Sequence, residues 1–427
     1  MSITWSPLHA ALGIVARRRL LATDITAAID ANIRELSGLD FKGERRNDEY
    51  AKAELAKDIA AMANTGGGMV VFGVGESGEG ASKRLTDTPI ELVDQAEQQV
   101  RMILHQRVRP LILGLSVDFI THVSDQEKGY LLVLVPDSTD APHFYERGND
   151  APPAAPRRHG SHTLNMSERE LERAYRDRFA RQSEMANALA HSFEGTVDRL
   201  AASAEVWAIA VSKPLGSVPL GVELPGRNSA QQSVRDATTL DCETHEGNES
   251  RSILEDLETN PRQGLRRWVL RYRSETGRGT IGAPYAELHH DGTVVLAYPA
   301  LARRTPNETD DRVAIEAGWV EQISSAIVAL TVRWHRERAL HGGARIRIGA
   351  RFDASSSDAS LWLHGMERAG FSYPCIPDWS FPVMNVEPTD VILQGEADLR
   401  ARADVAVELA ESVLHQFGYA QIRTLTR

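Results

Sequence analysis

The chain changes hydrophobic period abruptly between Glu49 and Val74, and this change constrains its fold more than any other feature. From Glu49 to Ala63, Leu55, Ile59 and Met62 fall at offsets of 0, 4 and 7, the buried stripe of an amphipathic helix. From Met69 to Val74 the residues are apolar without alternation, as in a strand buried on both faces. Thr65-Gly66-Gly67-Gly68 lies between the two patterns, after Asn64. Glycine accepts the left-handed conformation that ends a helix, so this run reads as a tight helix-to-strand turn.

Around this unit the chain alternates helices and strands. Residues 1–34 are Ala-, Leu- and Arg-rich and read as helical, with Ser6-Pro7 as the start. Ser37-Gly38 breaks the pattern, and Leu39 to Lys42 alternates like a short strand. Leu92 to Gln106 reads as a helix stopped before Pro110, Leu111 to Phe119 and Tyr130 to Val135 as strands, and residues 149–157 as a loop. Ser167 with Glu170 forms a capping box for a charged helix that runs to Leu200.

A composition shift follows near residue 203. Val206 to Val211, Leu220 to Leu224, Arg267 to Arg273 and Arg345 to Phe352 read as strands. Ala286 to His290 and Thr293 to Tyr298 flank Asp291-Gly292, a strong hairpin signal. Trp319 to Arg338 and residues 398–417 carry helical apolar stripes. Residues 225–264 are polar, with seven carboxylates between Asp241 and Glu258, and read as an acidic surface loop. The expected fold class is α+β. An N-terminal domain over 1–200 has a mixed sheet with helices, and an α/β domain over 203–427 has an antiparallel sheet with long helices.

At 427 residues, two or three domains are the ordinary number. With 25% charged and 42% apolar residues the chain is neither disordered nor fibrous. A net charge of −11 argues against a basic nucleic-acid packaging protein, although not against a local basic groove. Two distant cysteines, Cys242 and Cys375, exclude a disulfide framework and a four-cysteine zinc site. The N-terminal apolar stretch is short and is followed, not preceded, by Arg17 to Arg19, which is not a signal-peptide pattern. The longest apolar run elsewhere, Ile323 to Val332, is far shorter than a membrane span. A cytoplasmic protein without membrane contact is expected.

The chemistry-bearing residues cluster in the first half. Glu35 and Asp40 flank the first strand, and Glu76 follows the buried one, where a carboxylate is placed to face a cleft. If the strands are neighbours, the three converge. Their repulsion would then call for a divalent cation with oxygen ligands, Mg²⁺ or Mn²⁺, suited to phosphodiester chemistry. The alternative is three solvated surface carboxylates. Lys42, Arg45, Arg46, Arg157 and Arg158 are candidates for phosphate contacts, or else solvated turn residues. A phosphate-loop reading of Gly75 to Gly80 fails, because Ala81-Ser82 stands where the lysine is needed.

In combination, two runs resemble the Schlafen-type AlbA domain, once described as a divergent AAA ATP-binding domain. They are Glu35-Leu-Ser-Gly-Leu-Asp40-Phe-Lys42 and Lys57-Asp-Ile-Ala-Ala-Met-Ala-Asn64-Thr65-Gly66-Gly67-Gly68-Met-Val-Val-Phe-Gly73-Val74. Pro142-His143-Phe144-Tyr145 and Arg158-His159-Gly160-Ser161-His162-Thr163 are similar to its later segments, so the resemblance spans roughly residues 30–180. It implies an α+β nucleic-acid-binding domain, RNA favoured over DNA. In vertebrate Schlafens the domain is a metal-dependent endoribonuclease acting on structured RNA such as tRNA. The family's catalytic, metal-binding carboxylates carry over to Glu35, Asp40 and Glu76. Asp40 is one methylene shorter than the usual Glu, and Gly75-Glu76 replaces a common Asp-Asp. Bacterial relatives use the domain as a regulatory or binding module.

The second half resembles no family recognised from its residues. Arg267, Val269, Arg271 and Arg273 alternate with Trp268, Leu270 and Tyr272, and Arg345 and Arg347 repeat the pattern. This is either a basic sheet face for nucleic acid or arginines on the wet side of a half-buried sheet. His289 and His290 are adjacent in a strand, so they cannot share one metal. The leading expectation is a nucleic-acid-binding protein with Mg²⁺- or Mn²⁺-dependent endoribonuclease activity. The alternatives are a non-catalytic DNA- or nucleotide-binding regulator and a defence-type assembly protein, a homo-oligomer whose second domain senses a ligand.

Overall fold

A computed structural model describes residues 3–35, 38–78, 83–91, 95–147, 151–160, 162–200, 206–219, 221–245, 252–257, 260–271, 284–299, 313–352, 360–366, 374–375, 381–395, 397–422 and 424–426. The expected features at Ser37, Ala81-Ser82, Leu92, Ser161, Leu220 and Tyr272-Arg273 lie outside these residues. The chain divides into two compact units. One comprises residues 1–184 with 215–223 and 341–343. The other comprises 185–214, 224–340 and 344–427.

The first unit contains helices α1 (Pro7–Ala11), α2 (Ala22–Asp30), α3 (Glu49–Ala63) and α4 (Ala96–Arg107). Its strands are β1 (Leu39–Lys42), β2 (Gly68–Phe72), β3 (Val74–Ser77), β4 (Arg84–Asp87), β5 (Ile90–Glu91), β6 (Val108–Arg109), β7 (Ser116–Thr121), β8 (Lys128–Val135), β9 (Phe144–Tyr145), β10 (Pro156–His159) and β11 (His162–Asn165). Helix α5 (Glu168–Leu200) begins in this unit and ends in the second. The predicted capping box is present in part: the Ser167 amide and hydroxyl both donate to Glu170.

The main sheet of this unit is mixed. β1 runs parallel to β2, β2 is antiparallel to β8, and β7 and β5 also pair with β8. Leu55, Ile59 and Met62 of α3 and Val100 and Leu104 of α4 cover Val70, Phe72, Leu131 and Val133 on one face. Leu8 of α1 and Ile25 of α2 cover Leu39, Phe41, Met69, Val71 and Leu132 on the other. Cover on both faces is why β2 and β8 are apolar without alternation. Gly67 joins α3 to β2 at φ +83°, where a Cβ would lie 2.7 Å from the Val135 carbonyl oxygen, so the turn needs glycine twice over.

Two expectations in this unit are corrected. Residues 1–34 are not continuously helical: Gly13, at φ +68°, follows α1, and the non-helical segment after it carries Arg18 to Asp24 and Arg19 to Asp118. The strand expected from Leu111 begins only at Ser116.

In the second unit the strands are β12 (Val206–Pro214), β13 (Arg262–Gly264), β14 (Arg267–Arg271), β15 (Tyr285–His289), β16 (Val294–Pro299), β17 (Val313–Glu316), β18 (Ala344–Phe352), β19 (Leu361–Met366), β20 (Pro374–Cys375) and β21 (Thr389–Leu393). Its helices are α6 (Arg227–Cys242), α7 (Ala317–Glu337) and α8 (Leu399–Leu414). Seven strands form one antiparallel sheet in the order β13-β14-β15-β16-β12-β18-β21. Residues of α6, α7 and α8 bury one face of it, and Leu189, Phe193 and Leu200 of α5 pack on the other.

The acidic loop expected over 225–264 is a further correction. Most of its described part is α6 and a short 3₁₀ turn, Ile253–Asp256. Ala230, Val234 and Ala237 fall at a helical spacing and are buried, as are Ile253, Leu254 and Leu257. Even Asp241 is buried and accepts the Ser252 hydroxyl at 2.5 Å. The carboxylate count outweighed a short apolar stripe that decides the structure. Likewise, residues 221–224, expected in a strand, form none.

The C-terminal end of α7 grips the β15–β16 hairpin. Trp334 Nε1 donates to the His289 carbonyl at 2.7 Å, Arg338 Nε to that of His290 at 2.8 Å, and His335 Nε2 lies 3.1 Å from the Gly292 carbonyl. Burial pushes the His335 imidazole down to about 4. In the unfolded chain it titrates near 6.5. The stability it contributes is therefore complete above about pH 6.5 and is lost as the pH falls toward 4. His9 and His143, also lowered by burial, act in the same direction. Guanidinium unfolding at about pH 7 and about pH 5 should show a loss of about 2 kcal/mol attributable to His335. His335→Gln should flatten that part of the profile, and an identical pH dependence in the variant would refute the assignment.

Candidate nucleic-acid interface

β1 places Leu39 and Phe41 in the core beneath α1 and α2, so Asp40 and Lys42 face the opposite side, toward α3. Asp58 of α3 lies there too, three residues beyond Leu55 on the buried stripe. Lys42 Nζ is 3.1 Å from Asp40 Oδ2 and 3.0 Å from Asp58 Oδ2. Arg158, on β10, brings Nη2 to 2.8 Å from Asp40 Oδ1. Asp40, Asp58 and Arg158 side chains are only 5%, 7% and 3% exposed, whereas Lys42 is 39% exposed. Two cations thus balance two buried carboxylates. Burial opposes the charge on Lys42, but Asp58 and Asp40 outweigh it and hold the ammonium above its usual value. Burial raises the Asp58 carboxyl despite Lys42.

The Asn64-Thr65 motif positions this cluster. Asn64 Nδ2 donates to the carbonyls of His143 (2.9 Å) and Pro156 (2.8 Å), and its Oδ1 accepts the His143 amide at 2.7 Å. Thr65 Oγ1 accepts the Arg158 amide at 3.0 Å. The end of α3 therefore anchors β10 where Arg158 reaches Asp40. Two motifs some ninety residues apart in sequence form one hydrogen-bonded joint.

Glu35 and Glu76 lie in the same neighbourhood. Burial raises the Glu35 carboxyl; the Phe41 amide, donating at 3.0 Å, opposes this, and the Asp40 and Glu76 charges add to it. Glu76 is paired at 2.5 Å with Lys83. Each of the three carboxylates thus has a protein donor, and Asp40 is neutralised by two cations. The donor set as arranged does not fit Mg²⁺ or Mn²⁺, which prefer oxygen ligands at about 2.1 Å in near-octahedral geometry. Among the described residues no group of three His, Cys, Asp or Glu side chains is spaced to hold a metal ion.

The five basic residues divide in the same way. Lys42 and Arg158 belong to the internal cluster, and Arg157 pairs with Glu170 at 2.7 Å. Arg45 and Arg46 line two adjoining clefts. A cleft of about 670 Å³ also takes in Gly43, Glu76, Thr88 and Lys128, and a smaller one of about 200 Å³ takes in Lys42, Tyr50 and Lys52. Arg45 is held by Gln99 Oε1 at 2.7 Å, and Arg46 is exposed, 3.9 Å from Asp48. Tyr50 is 68% exposed on the first turn of α3. Asp58 and Tyr50 were not singled out from sequence. Their signals are a carboxylate on an apolar stripe and an aromatic residue off it.

Residues 35–167 match the family model described as Schlafen, AlbA_2. This part of the chain is a Schlafen-type AlbA domain, and the match points to a nucleic-acid-related function. Searches of curated proteins and of solved structures found no match. Among the described residues no helix is long and apolar enough to cross a membrane.

Two predictions follow from the cluster and its joint. Lys42→Met leaves two buried carboxylates facing each other and should cost about 2–3 kcal/mol near neutral pH, discounted because Lys42 reaches solvent. Adding Asp58→Asn should recover most of that loss in urea unfolding, whereas additive losses would show that Lys42 and Asp58 are not coupled. Asn64→Ala should destabilise by about 2–4 kcal/mol, since three backbone groups lose their partner. A loss under about 0.5 kcal/mol would remove the joint from the account.

Proposed function

We propose that this chain, whose residues 35–167 are a Schlafen-type AlbA domain, binds single-stranded nucleic acid along the clefts at Arg45 and Arg46, with RNA favoured over DNA. The observation that carries the reading is that Arg45, Arg46 and the exposed Tyr50 border one continuous recess. Guanidinium groups contact phosphates, and an exposed ring stacks an unpaired base. A duplex offers no such base.

Binding in this reading needs no metal. Lys42 and Arg158 already neutralise Asp40, so the charge that would recruit a divalent ion is answered within the fold. Metal-dependent endoribonuclease activity is the second reading. Its support is the electrostatic proximity of Glu35, Asp40 and Glu76, the latter two adding to the burial that raises the Glu35 carboxyl.

Labelled single-stranded RNA, tRNA and duplex DNA, each with Mg²⁺, Mn²⁺ or EDTA, separate the readings. Expected is EDTA-insensitive, salt-sensitive binding of RNA without cleavage. Arg45→Ala/Arg46→Ala should flatten the log Kd against log salt slope by about 1.4, as two lost phosphate contacts require. Tyr50→Ala should weaken binding by about 1–3 kcal/mol with little change in slope. Metal-dependent cleavage that disappears in Glu35→Ala would favour the nuclease instead. An unchanged slope in the double variant would move binding away from these clefts.

A further inference from the structure

The arginines of β14 and β18 lie on one face of the second unit's sheet. Register places Arg267 opposite His289, Val269 opposite Glu287 and Arg271 opposite Tyr285, and directly opposed residues share a face. In the middle of this patch Glu287 is fully buried. His289 Nε2 lies 2.6 Å from Glu287 Oε2, and the Tyr285 hydroxyl donates to Oε1. Arg267 Nε and Arg199 Nη2, the latter from α5, each stand 3.4 Å from Oε1. Arg271 lies over the Tyr285 ring, 5.9 Å from its centre. All of these residues belong to the second unit.

Two guanidinium groups, Arg199 and Arg267, thus stand against one carboxylate, and a third, Arg271, lies over the tyrosine that donates to it. Burial pushes Glu287 up, but hydrogen bonds from His289 and Tyr285 and the Arg199 charge outweigh it and keep the carboxyl below its usual value. The carboxylate holds Arg199 and Arg267 but does not saturate them. A guanidinium has five N–H donors. Arg267 Nε is buried without a hydrogen-bond partner, Arg271 is exposed, and Arg199 is 40% exposed. Arg345 Nε and Arg351 Nε are likewise buried without a hydrogen-bond partner, so the other arginines on this face differ in the carboxylates they meet. Arg347 pairs with Asp390 at 2.5 Å and 3.0 Å, Arg345 approaches Asp390 at 3.5 Å, and Arg351 meets Glu194 at 3.0 Å. Surplus positive charge is therefore concentrated at the β14–β15 end.

We propose that Arg199 and Arg267, positioned by the buried Glu287, form a phosphate-binding site on the second unit together with Arg271, which lies over the Tyr285 ring. Planar guanidinium forks suit a phosphate's oxygens, and a fixed carboxylate behind them pre-organises the forks before the ligand arrives. The phosphate comes from a free nucleotide or from a nucleic-acid backbone, and both present the same oxygens.

The test uses the full chain carrying Arg45→Ala/Arg46→Ala, so that the N-terminal clefts do not mask the result. Calorimetric titration with inorganic phosphate, a nucleoside triphosphate and a short single-stranded RNA compares this background with added Arg267→Ala, Arg271→Ala or Arg351→Ala. Binding should weaken at least about tenfold for Arg267→Ala and Arg271→Ala and stay within about twofold for Arg351→Ala. A response to the triphosphate identifies a nucleotide as the source, and a response to RNA alone identifies the polymer backbone. Arg271 is exposed, so its variant should keep the far-ultraviolet circular dichroism of the parent. Absence of binding to all three probes overturns the site, as does binding that Arg267→Ala and Arg271→Ala leave unchanged.

Discussion

Three buried charges and the half-exposed ammonium of Lys42, set between β1, α3 and β10, organise the N-terminal domain. Asp40, Lys42, Asp58 and Arg158 come from three separate elements, with Asp40 paired to both cations and Lys42 to both carboxylates. Desolvated ions of this kind add little net stability, but removing one partner strands the rest. The cluster therefore fixes which strand lies where. The backbone joint at Asn64 and Thr65 holds the same alignment with uncharged hydrogen bonds. Charge pairing and backbone capping point to one register.

That arrangement changes the meaning of the family motif. Residues that look like a reactive site on paper contribute first to the assembly of the domain. Glu35 accepts the amide of Phe41 in β1, a strand that pairs with β2, Asp40 closes an ion cluster, and Asn64 joins two segments. Arg45, Arg46 and Tyr50, which no motif emphasises, line the cleft instead. The second unit divides its labour differently. One sheet face is apolar beneath three helices. The other packs on α5 and carries arginines, three of them paired with Asp390 or Glu194 and others beside Glu287.

Much of the fold was legible where the hydrophobic period was long and clean. Helix α3 runs over the residues its stripe predicts, the Asp291-Gly292 turn joins the expected hairpin, and the alternation in β14 separates buried Trp268 and Leu270 from the arginines. Legibility failed where a short apolar stripe was diluted by charge, as in α6, and where a glycine and two arginine anchors interrupt a helical composition, as between α1 and α2. The candidate site was legible as a list of residue types. Which carboxylate meets which cation was not, because Asp58 and Arg158 reach Asp40 from elements distant in sequence.

Local sequence alone determined the helix-turn-strand unit from Glu49 to Phe72, since period, glycine conformation and strand burial depend only on neighbours along the chain. It also determined the kind of domain, because the motif residues are those that build its joint. Only the tertiary structure decided which charges are spent inside the fold and which face a ligand. A side chain's charge is written in the sequence, but its effective electrostatics depend on desolvation and on partners that folding brings within about 3 Å.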